Sequence, residues 1–341
     1  MRALTALLLT DDRPGHYHLS EGVIAAARRL GPVDVVRLHV QRRWSGRLLA
    51  ILSNAGVPAR WLLRSAYGLD PVKMPRADWI VSAGAETLAA SIAIARLTGA
   101  PNVHYGSLRR YRPDGFRLVL TSYASQAKLP RHVMLLKPSG LALSGARVAA
   151  GKLLPGAIPQ TLGLLIGGPS GECRFTDGDW QRLLAFIDEA HAAYGARWVI
   201  SNSRRTPAGV SDAIAARAAA GTDAIAGFID VRATGPGTLG QVLTPSAAIV
   251  CTDDSSSMIS ECVSAGFAVV GVRPSHASFT PDEQDYRRYL IDNHWYRALP
   301  ISALTPERLV SELAHIRPLT EDPLDKLAGV LRERIPELFG A

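Results

Sequence analysis

Cysteine is scarce in this chain: 341 residues hold three, Cys173, Cys251 and Cys262, and no C-x-x-C. That excludes a disulfide framework and a thiolate zinc site. Cys251 and Cys262 fall within apolar patterns of a strand and a helix, as small core residues of a reducing compartment do. Long apolar runs are also missing. The first, Leu4 to Leu9 with Thr5 inside it, gives way to Asp11 and Asp12, and is too short for a signal-peptide core or a bilayer span. No other segment is long and apolar enough to span. The expectation is a cytoplasmic protein, at most peripheral on the inner face of the cytoplasmic membrane. A G-x-G-x-x-G fingerprint is absent, and Tyr123 and Lys128 are wrongly spaced for a Tyr-x-x-x-Lys pair. Both absences argue against a hydride-transferring nucleotide-sugar epimerase. No acid stands between Asp34 and Asp70.

Hydrophobic residues make up 47% of the chain, which is ample for a core and leaves no disorder signature. The length suits two domains. The formal net charge of +8 is carried almost wholly by Arg. It permits a nucleotide diphosphate or an anionic membrane surface as partner. No nucleic-acid recognition module accompanies it, so no nucleic-acid partner is expected.

An α/β rhythm runs through both halves. Strands are predicted at Ala3–Thr10, Val33–Val40, Asp78–Ala83, Asn102–Tyr105, Phe116–Thr121 and Val133–Leu136, with helices at Leu19–Leu30 and Glu86–Thr98. After a weakly periodic stretch the theme repeats, with strands at Thr161–Ile166, Arg197–Ser201, Ala224–Asp230, Ala247–Cys251 and Phe267–Val272. Later helices are predicted at Asp282–Leu290, Pro306–Ile316 and Leu324–Arg334. Thr176-x-x-Asp179 has capping-box spacing ahead of a helix that reaches Tyr194. The domains are expected to be 1–155 and 156–341, two Rossmann-like α/β domains facing across a cleft.

Open α/β sheets bind ligands beyond the carboxyl ends of their strands, so the loops there carry the chemistry. Asp11-Asp12-Arg13-Pro14-Gly15-His16-Tyr17-His18 follows the first strand and is dense in groups that titrate or donate. His16 and His18 are two apart, as metal ligands can be, but no third ligand accompanies them and no metal is expected. In the second half, Gly167 and Gly168 let backbone N–H groups approach an anion, with Ser170 close behind. Ser201-Asn-Ser-Arg-Arg-Thr206 offers two adjacent guanidiniums, Arg204 and Arg205, among hydroxyls, which suits a diphosphate. Thr252-Asp-Asp-Ser-Ser-Ser257 leads into a helix with apolar Met258, Ile259, Cys262 and Val263, ended by Gly266. That helix aims N–H groups and a partial positive charge at the crevice. Glu261, one turn in, stands where a carboxylate reaches a ribose diol. Each of these loops also has a plainer reading, as a tight turn, a helix cap or a solvated basic loop. Gln41–Leu69 is different again: Arg42, Arg43, Arg47, Arg60 and Arg64 are interleaved with Trp44, Leu48, Ile51, Trp61 and other apolar residues at helical spacing. This fits a helix lying on an anionic membrane surface as well as an ordinary amphipathic helix.

Gly-Gly-Pro-Ser at 167–170, Ser-Arg-Arg-Thr-Pro at 203–207 and Thr-Asp-Asp-Ser-Ser-Ser-Met-Ile-Ser-Glu at 252–261 resemble the mitochondrial-fission "elongated mitochondria" family, from Asp11 to about Pro274. Where that family's first loop is often followed by Gln, this chain has Leu19. The resemblance implies the GT-B architecture and the bacterial glycosyltransferase branch of the family. It implies a metal-independent enzyme without cofactor, moving a sugar from a nucleotide-diphosphate sugar to a glycan or lipid-linked acceptor at the cell envelope. Gly167, Gly168, Ser170, Ser201, Arg204, Arg205, Thr206, Asp254, Ser255, Ser256, Ser257, Met258 and Glu261 would then line the donor site. Of these, Glu261 would hold the ribose, and Arg204 with Arg205 the diphosphate. Asp11, Arg13 and Gly15 would belong to the acceptor loop, with Asp12 or His16 as the base. A non-hydride nucleotide-sugar epimerase on the same fold, or a non-catalytic scaffold on a membrane, are the alternatives.

Overall fold

The computed structural model describes residues 2–140, 160–235 and 237–340. The chain forms two compact units, Met1–Gly140 with Glu321–Ala341, and Leu141–Thr320.

In the first unit, β1 (Leu4–Thr10), β2 (Val33–His39), β3 (Trp79–Ala83), β4 (Asn102–Tyr105), β5 (Leu118–Thr121) and β6 (His132–Met134) form one parallel sheet in the order β2-β1-β3-β4-β5-β6. β1 and β2 pair in register from Leu4↔Val33 to Thr10↔His39. Parallel neighbours require crossovers, supplied by α1 (Pro14–Ala27), α2 (Gly46–Asn54), α3 (Ala59–Leu62) and α4 (Leu88–Thr98). Both faces of the sheet are therefore covered. Ala6, Leu8, Trp79 and Val81 pack on one side, and Leu7, Leu9, Ile80 and Val119 on the other. The chain leaves β1 toward β2 on one flank and returns to β3 on the other. The topological switch point therefore lies between the carboxyl ends of β1 and β3.

The second unit repeats the plan. β7 (Thr161–Leu165) is followed by β8 (Cys173–Arg174), α5 (Asp177–Tyr194), β9 (Arg197–Ser201), α6 (Ala208–Ala219), β10 (Ile225–Ile229), β11 (Ala248–Thr252), α7 (Ser256–Ser264), β12 (Ala268–Arg273), β13 (His276–Ala277), α8 (Pro281–Asp292), β14 (Tyr296–Pro300) and α9 (Pro306–Ala314). The main sheet runs β10-β9-β7-β11-β12-β14, all parallel, and its switch point falls between β7 and β11. β8 and β13 pair as a small antiparallel ribbon. The capping box at Thr176 is present: its hydroxyl accepts from the Asp179 N–H at 3.1 Å, and the Asp179 carboxylate accepts from the Thr176 N–H at 2.9 Å.

The eleven strands expected from the sequence all form, each within two residues of its expected ends. Two corrections concern helices. α1 starts at Pro14, not Leu19, because proline fits the first helical position, where no N–H is needed. His16 and His18 therefore lie on its first turns, not in a loop. The last helices, α10 (Pro323–Arg334) and α11 (Pro336–Phe339), belong to the first unit and not to a 156–341 domain. Leu327, Leu331, Ile335 and Phe339 are buried in the same core as β1 and β3, with Phe339 edge-on to Trp79 at 5.4 Å. Arg29–Asp322 at 2.9 Å and Arg117–Glu337 at 3.0 Å tether both ends of this segment. An amphipathic stripe shows that a helix packs, but not on which sheet. The expected boundary near residue 155 lies outside the described residues.

Candidate functional site

At the first switch point, Asp11 directly follows β1 with its carboxyl buried, while Asp12 beside it is exposed, 3.6 Å from His39 Nε2. Consecutive residues leaving a strand face opposite ways, and it is Asp11 that faces in. Its Oδ1 accepts from the Arg13 N–H at 3.1 Å, and its Oδ2 lies 2.7 Å from His16 Nδ1. A carboxylate can only accept, so Nδ1 is the donor of this bond, and in the neutral tautomer Nε2 carries the lone pair. His16 is about one quarter exposed. Gly84, after β3, has φ +84°, and a methyl group there would collide with the His16 ring. Glycine thus lets the imidazole lie against the switch-point backbone. Behind it, His104 on β4 is fully buried, its Nδ1 3.0 Å from Ser82 Oγ. Burial, with His16 and His132 nearby, pushes its pKa down to about 3, so it stays neutral. The remaining loop residues contribute less: Arg13 is exposed, and Gly15 is exposed on the first turn of α1.

At the second switch point, three loops interlock. The Gly167 N–H donates to Thr252 Oγ1 at 2.7 Å, and the Gly168 N–H to Asp254 Oδ2 at 3.2 Å. Arg205 donates to the same carboxylate oxygen at 2.6 Å and to the Gly168 carbonyl at 2.8 Å. Thr206 Oγ1 donates to the Ile166 carbonyl at 2.9 Å and accepts from the Ser203 N–H at 2.8 Å. Ser201 is buried with its hydroxyl on the Asn202 carbonyl, and Ser170 Oγ accepts from the Glu172 and Cys173 N–H groups. The sequence reading gave the two glycine N–H groups and Arg205 to a diphosphate. In the structure they already have partners, because the closing of three loops on one edge uses the nearest donors for itself. A methyl group on Gly168 would strike the Arg205 backbone carbonyl. Gly168→Ala is therefore expected to destabilise the protein by about 1–3 kcal/mol, the usual cost of forcing a packed backbone apart, read as a lower thermal midpoint. An unchanged midpoint would show that the loops are not clamped.

Two groups stand apart from that clamp. Arg204 is exposed and has no hydrogen bond or ion pair among the described residues. Glu261 lies on α7, half-buried, and its carboxyl is also without a hydrogen bond or ion pair among the described residues. Burial pushes its pKa up to about 7. α7 starts at the carboxyl edge beside β11 and is capped by Ser255, whose Oγ accepts from the Met258 N–H at 3.4 Å. Ser256 and Met258 are half-buried and Ser257 is exposed on its first turn. A folded-state pKa above the unfolded value of about 4.5 means that the native state holds the extra proton between about pH 4.5 and 7. Stability from this residue therefore falls as pH rises through that window. Glu261→Gln is expected to be more stable than wild type at pH 8, with the difference vanishing near pH 4. Equal stability at both pH values would show that the carboxyl is well solvated.

Asp253, which the sequence reading passed over, anchors the whole loop. It is fully buried and binds Arg287 Nε at 2.7 Å and Arg273 Nε at 2.9 Å. Arg287 donates further to the Asp253 carbonyl at 2.8 Å, pairs with Glu283 at 2.8 Å, and stacks on Phe279 with 3.7 Å to the ring centroid. Burial opposes the charge on Arg287, but Asp253, together with Tyr296 and Glu283, more than offsets it and its pKa is raised. The signal was present as Asp-Asp on one loop and Arg on a helix, but nothing local joins residues 34 apart.

Two Rossmann-like α/β units, each with polar loops at its switch point, define the fold class of GT-B glycosyltransferases. The chain belongs to the mitochondrial fission ELM1 family, whose model matches residues 14–334. No curated protein matches it. Among solved structures, the UDP-GlcNAc 2-epimerase of Methanocaldococcus jannaschii superposes with TM-score 0.55 at 12% identity, covering 98% of this chain and 100% of that one. MurG of Acinetobacter baumannii superposes with TM-score 0.51 at 13% identity, covering 99% of both chains. The glycotransferase of kitacinnamycin gives 0.50 at 13% identity, covering 99% and 96%. At such identities the likeness is one of fold. Among the described residues no helix is long and apolar enough to cross a membrane.

Proposed function

We propose that the protein transfers a sugar from a nucleotide-diphosphate sugar to a hydroxyl of a glycan or lipid-linked acceptor. The observation that carries this reading is Glu261: a half-buried carboxyl on α7 with no hydrogen bond or ion pair among the described residues, its pKa pushed up by burial. Paired ribose hydroxyls are the ligand that such a carboxylate accepts from. The diphosphate lies at the start of α7 and on Arg204, whose guanidinium has no partner among the described residues, while Arg205 and Asp254 hold the loop that presents them. The first unit supplies the base. His16 Nε2 takes the proton of the acceptor hydroxyl, whose oxygen bonds to the anomeric carbon. The bond from that carbon to the phosphate oxygen breaks, and the nucleoside diphosphate leaves with the electron pair. In this reading the charge of the leaving group falls to Arg204 and α7, with no metal and no cofactor.

The test is a thermal-shift panel of nucleoside diphosphates and their sugars, with and without EDTA. One nucleotide is expected to raise the melting midpoint by mass action, equally with EDTA present. Glu261→Ala is expected to weaken that binding by about 10–100-fold, the loss of a hydrogen bond to a charged group. Arg204→Ala is expected to weaken diphosphates and leave the free nucleoside unaffected. A flat panel, or wild-type binding by both variants, sinks the reading. Release of an altered sugar without any acceptor would redirect it to a non-hydride epimerase.

A further inference from the structure

At the amino-terminal edge of the first sheet, away from His16, lies an open cavity of about 850 Å³. Arg2, Arg60 and Arg76 line it with Asp78, and Val72, Met74 and Leu97 give it apolar walls. Arg2 is paired with Asp78 at 2.8 Å, and the same carboxylate accepts from the Thr5 N–H at 2.7 Å. The guanidiniums of Arg60 and Arg76 have no hydrogen bond or ion pair among the described residues, which leaves the cavity with two positive charges not neutralised by them.

The neighbouring surface is apolar where a soluble surface is usually polar. Leu48 and Ile51 on α2 are 43% and 65% exposed, Trp61 on α3 46%, and Val72 on the cavity rim 77%. Trp61 rests on Trp44 with ring centroids 5.3 Å apart. Arg47 lies beside Leu48, exposed and unpaired among the described residues. Arg60 lines the cavity, and Trp61, the next residue of α3, is exposed beside it in the chain. Gln41–Leu69 contains no acid to oppose an anion.

We propose that this face docks on an anionic lipid bilayer. Leu48, Ile51 and Trp61 enter the acyl boundary, Arg47 meets the headgroup layer, and the phosphodiester of one anionic lipid sits in the cavity between Arg60 and Arg76. Exposed aliphatic and indole side chains favour a hydrocarbon boundary over a nucleic-acid backbone. The flanking guanidiniums favour anionic over zwitterionic lipid. This proposal does not depend on the transferase reading.

Co-sedimentation of the full chain with phosphatidylcholine vesicles, with and without phosphatidylglycerol, tests it. Binding is expected only where phosphatidylglycerol is present, and weaker at high salt. Arg60→Ala with Arg76→Ala is expected to reduce it about 25-fold, at about fivefold for each arginine near an anionic surface. Ile51→Ser with Trp61→Ser should reduce it at least about tenfold by removing apolar burial. Both pairs are on the surface, so unchanged circular dichroism and melting confirm that folding is intact. Arg332→Ala with Arg334→Ala, on α10, keeps wild-type binding and controls for net charge. No binding to phosphatidylglycerol vesicles, equal binding to phosphatidylcholine alone, or wild-type binding by both test pairs overturns the proposal. So does a thermal shift with glycerol phosphate when no vesicle binds, which would make the cavity a site for soluble phosphate esters. Capture of an oligonucleotide in place of vesicles overturns it too.

Discussion

Asp253→Ala is expected to destabilise the second unit by about 3–5 kcal/mol, the range for removing one partner of a buried ion pair. In a unit of this size that lowers the thermal midpoint by roughly 10 °C. The carboxylate is fully buried and accepts from both Arg273 and Arg287, and Arg287 is itself buried. After substitution Arg287 keeps Glu283 and the backbone carbonyl of residue 253 but loses its closest countercharge. The loop that carries Asp254 and starts α7 would loosen with it, so nucleotide affinity should fall as well. Asp253→Asn retains an acceptor and is expected to cost less. Differential scanning of the three proteins checks this, and a midpoint for Asp253→Ala within a degree or so of wild type would show that the pair contributes nothing net.

His16→Ala is expected to lower sugar transfer by about 10²–10⁴-fold, the usual worth of a positioned base, while nucleotide binding stays at the wild-type level. Asp11→Asn leaves the imidazole in place but offers one accepting oxygen where the carboxylate offers two, to the Arg13 N–H and to His16 Nδ1, and so loosens the hold on its tautomer. It should therefore lower the rate as well, by a smaller factor, and leave the Kd for nucleotide alone. Asp12→Asn, at an exposed position, should have little effect. Single-turnover rates beside titrations separate these cases. Full activity in His16→Ala would remove it from the mechanism, and a large loss in Asp12→Asn would give the base role to that residue.

The apolar runs that build the two parallel sheets are plain in the sequence, because strands buried on both faces read as continuous hydrophobic segments. β14 does not read that way. It is an edge strand of Tyr296-Arg-Ala-Leu-Pro300, and only Tyr296 and Leu299 are buried. α6 is just as quiet: an Ala-rich stretch whose buried face is Val210, Ser211 and Ile214. At the candidate site, residue types and spacing pointed to loops that the structure places at the two switch points, but not to which of two like neighbours faces in or is tied down. Asp11 faces in and Asp12 out. Asp253 holds Arg287 while Asp254 holds Arg205, and Arg205 is tied down while Arg204 has no partner among the described residues. Those assignments depend on which way a backbone turns as it leaves the sheet, and on partners tens of residues away.

The account turns on a nucleotide lying at the carboxyl edge of the second sheet. A crystal structure with the nucleoside diphosphate chosen by the thermal-shift panel tests that directly. It should show the ribose hydroxyls within hydrogen-bond distance of the Glu261 carboxylate, the diphosphate at the start of α7 near Arg204, and Arg205 still on Asp254. A nucleotide bound elsewhere, or a ribose that leaves Glu261 without a partner, would contradict it.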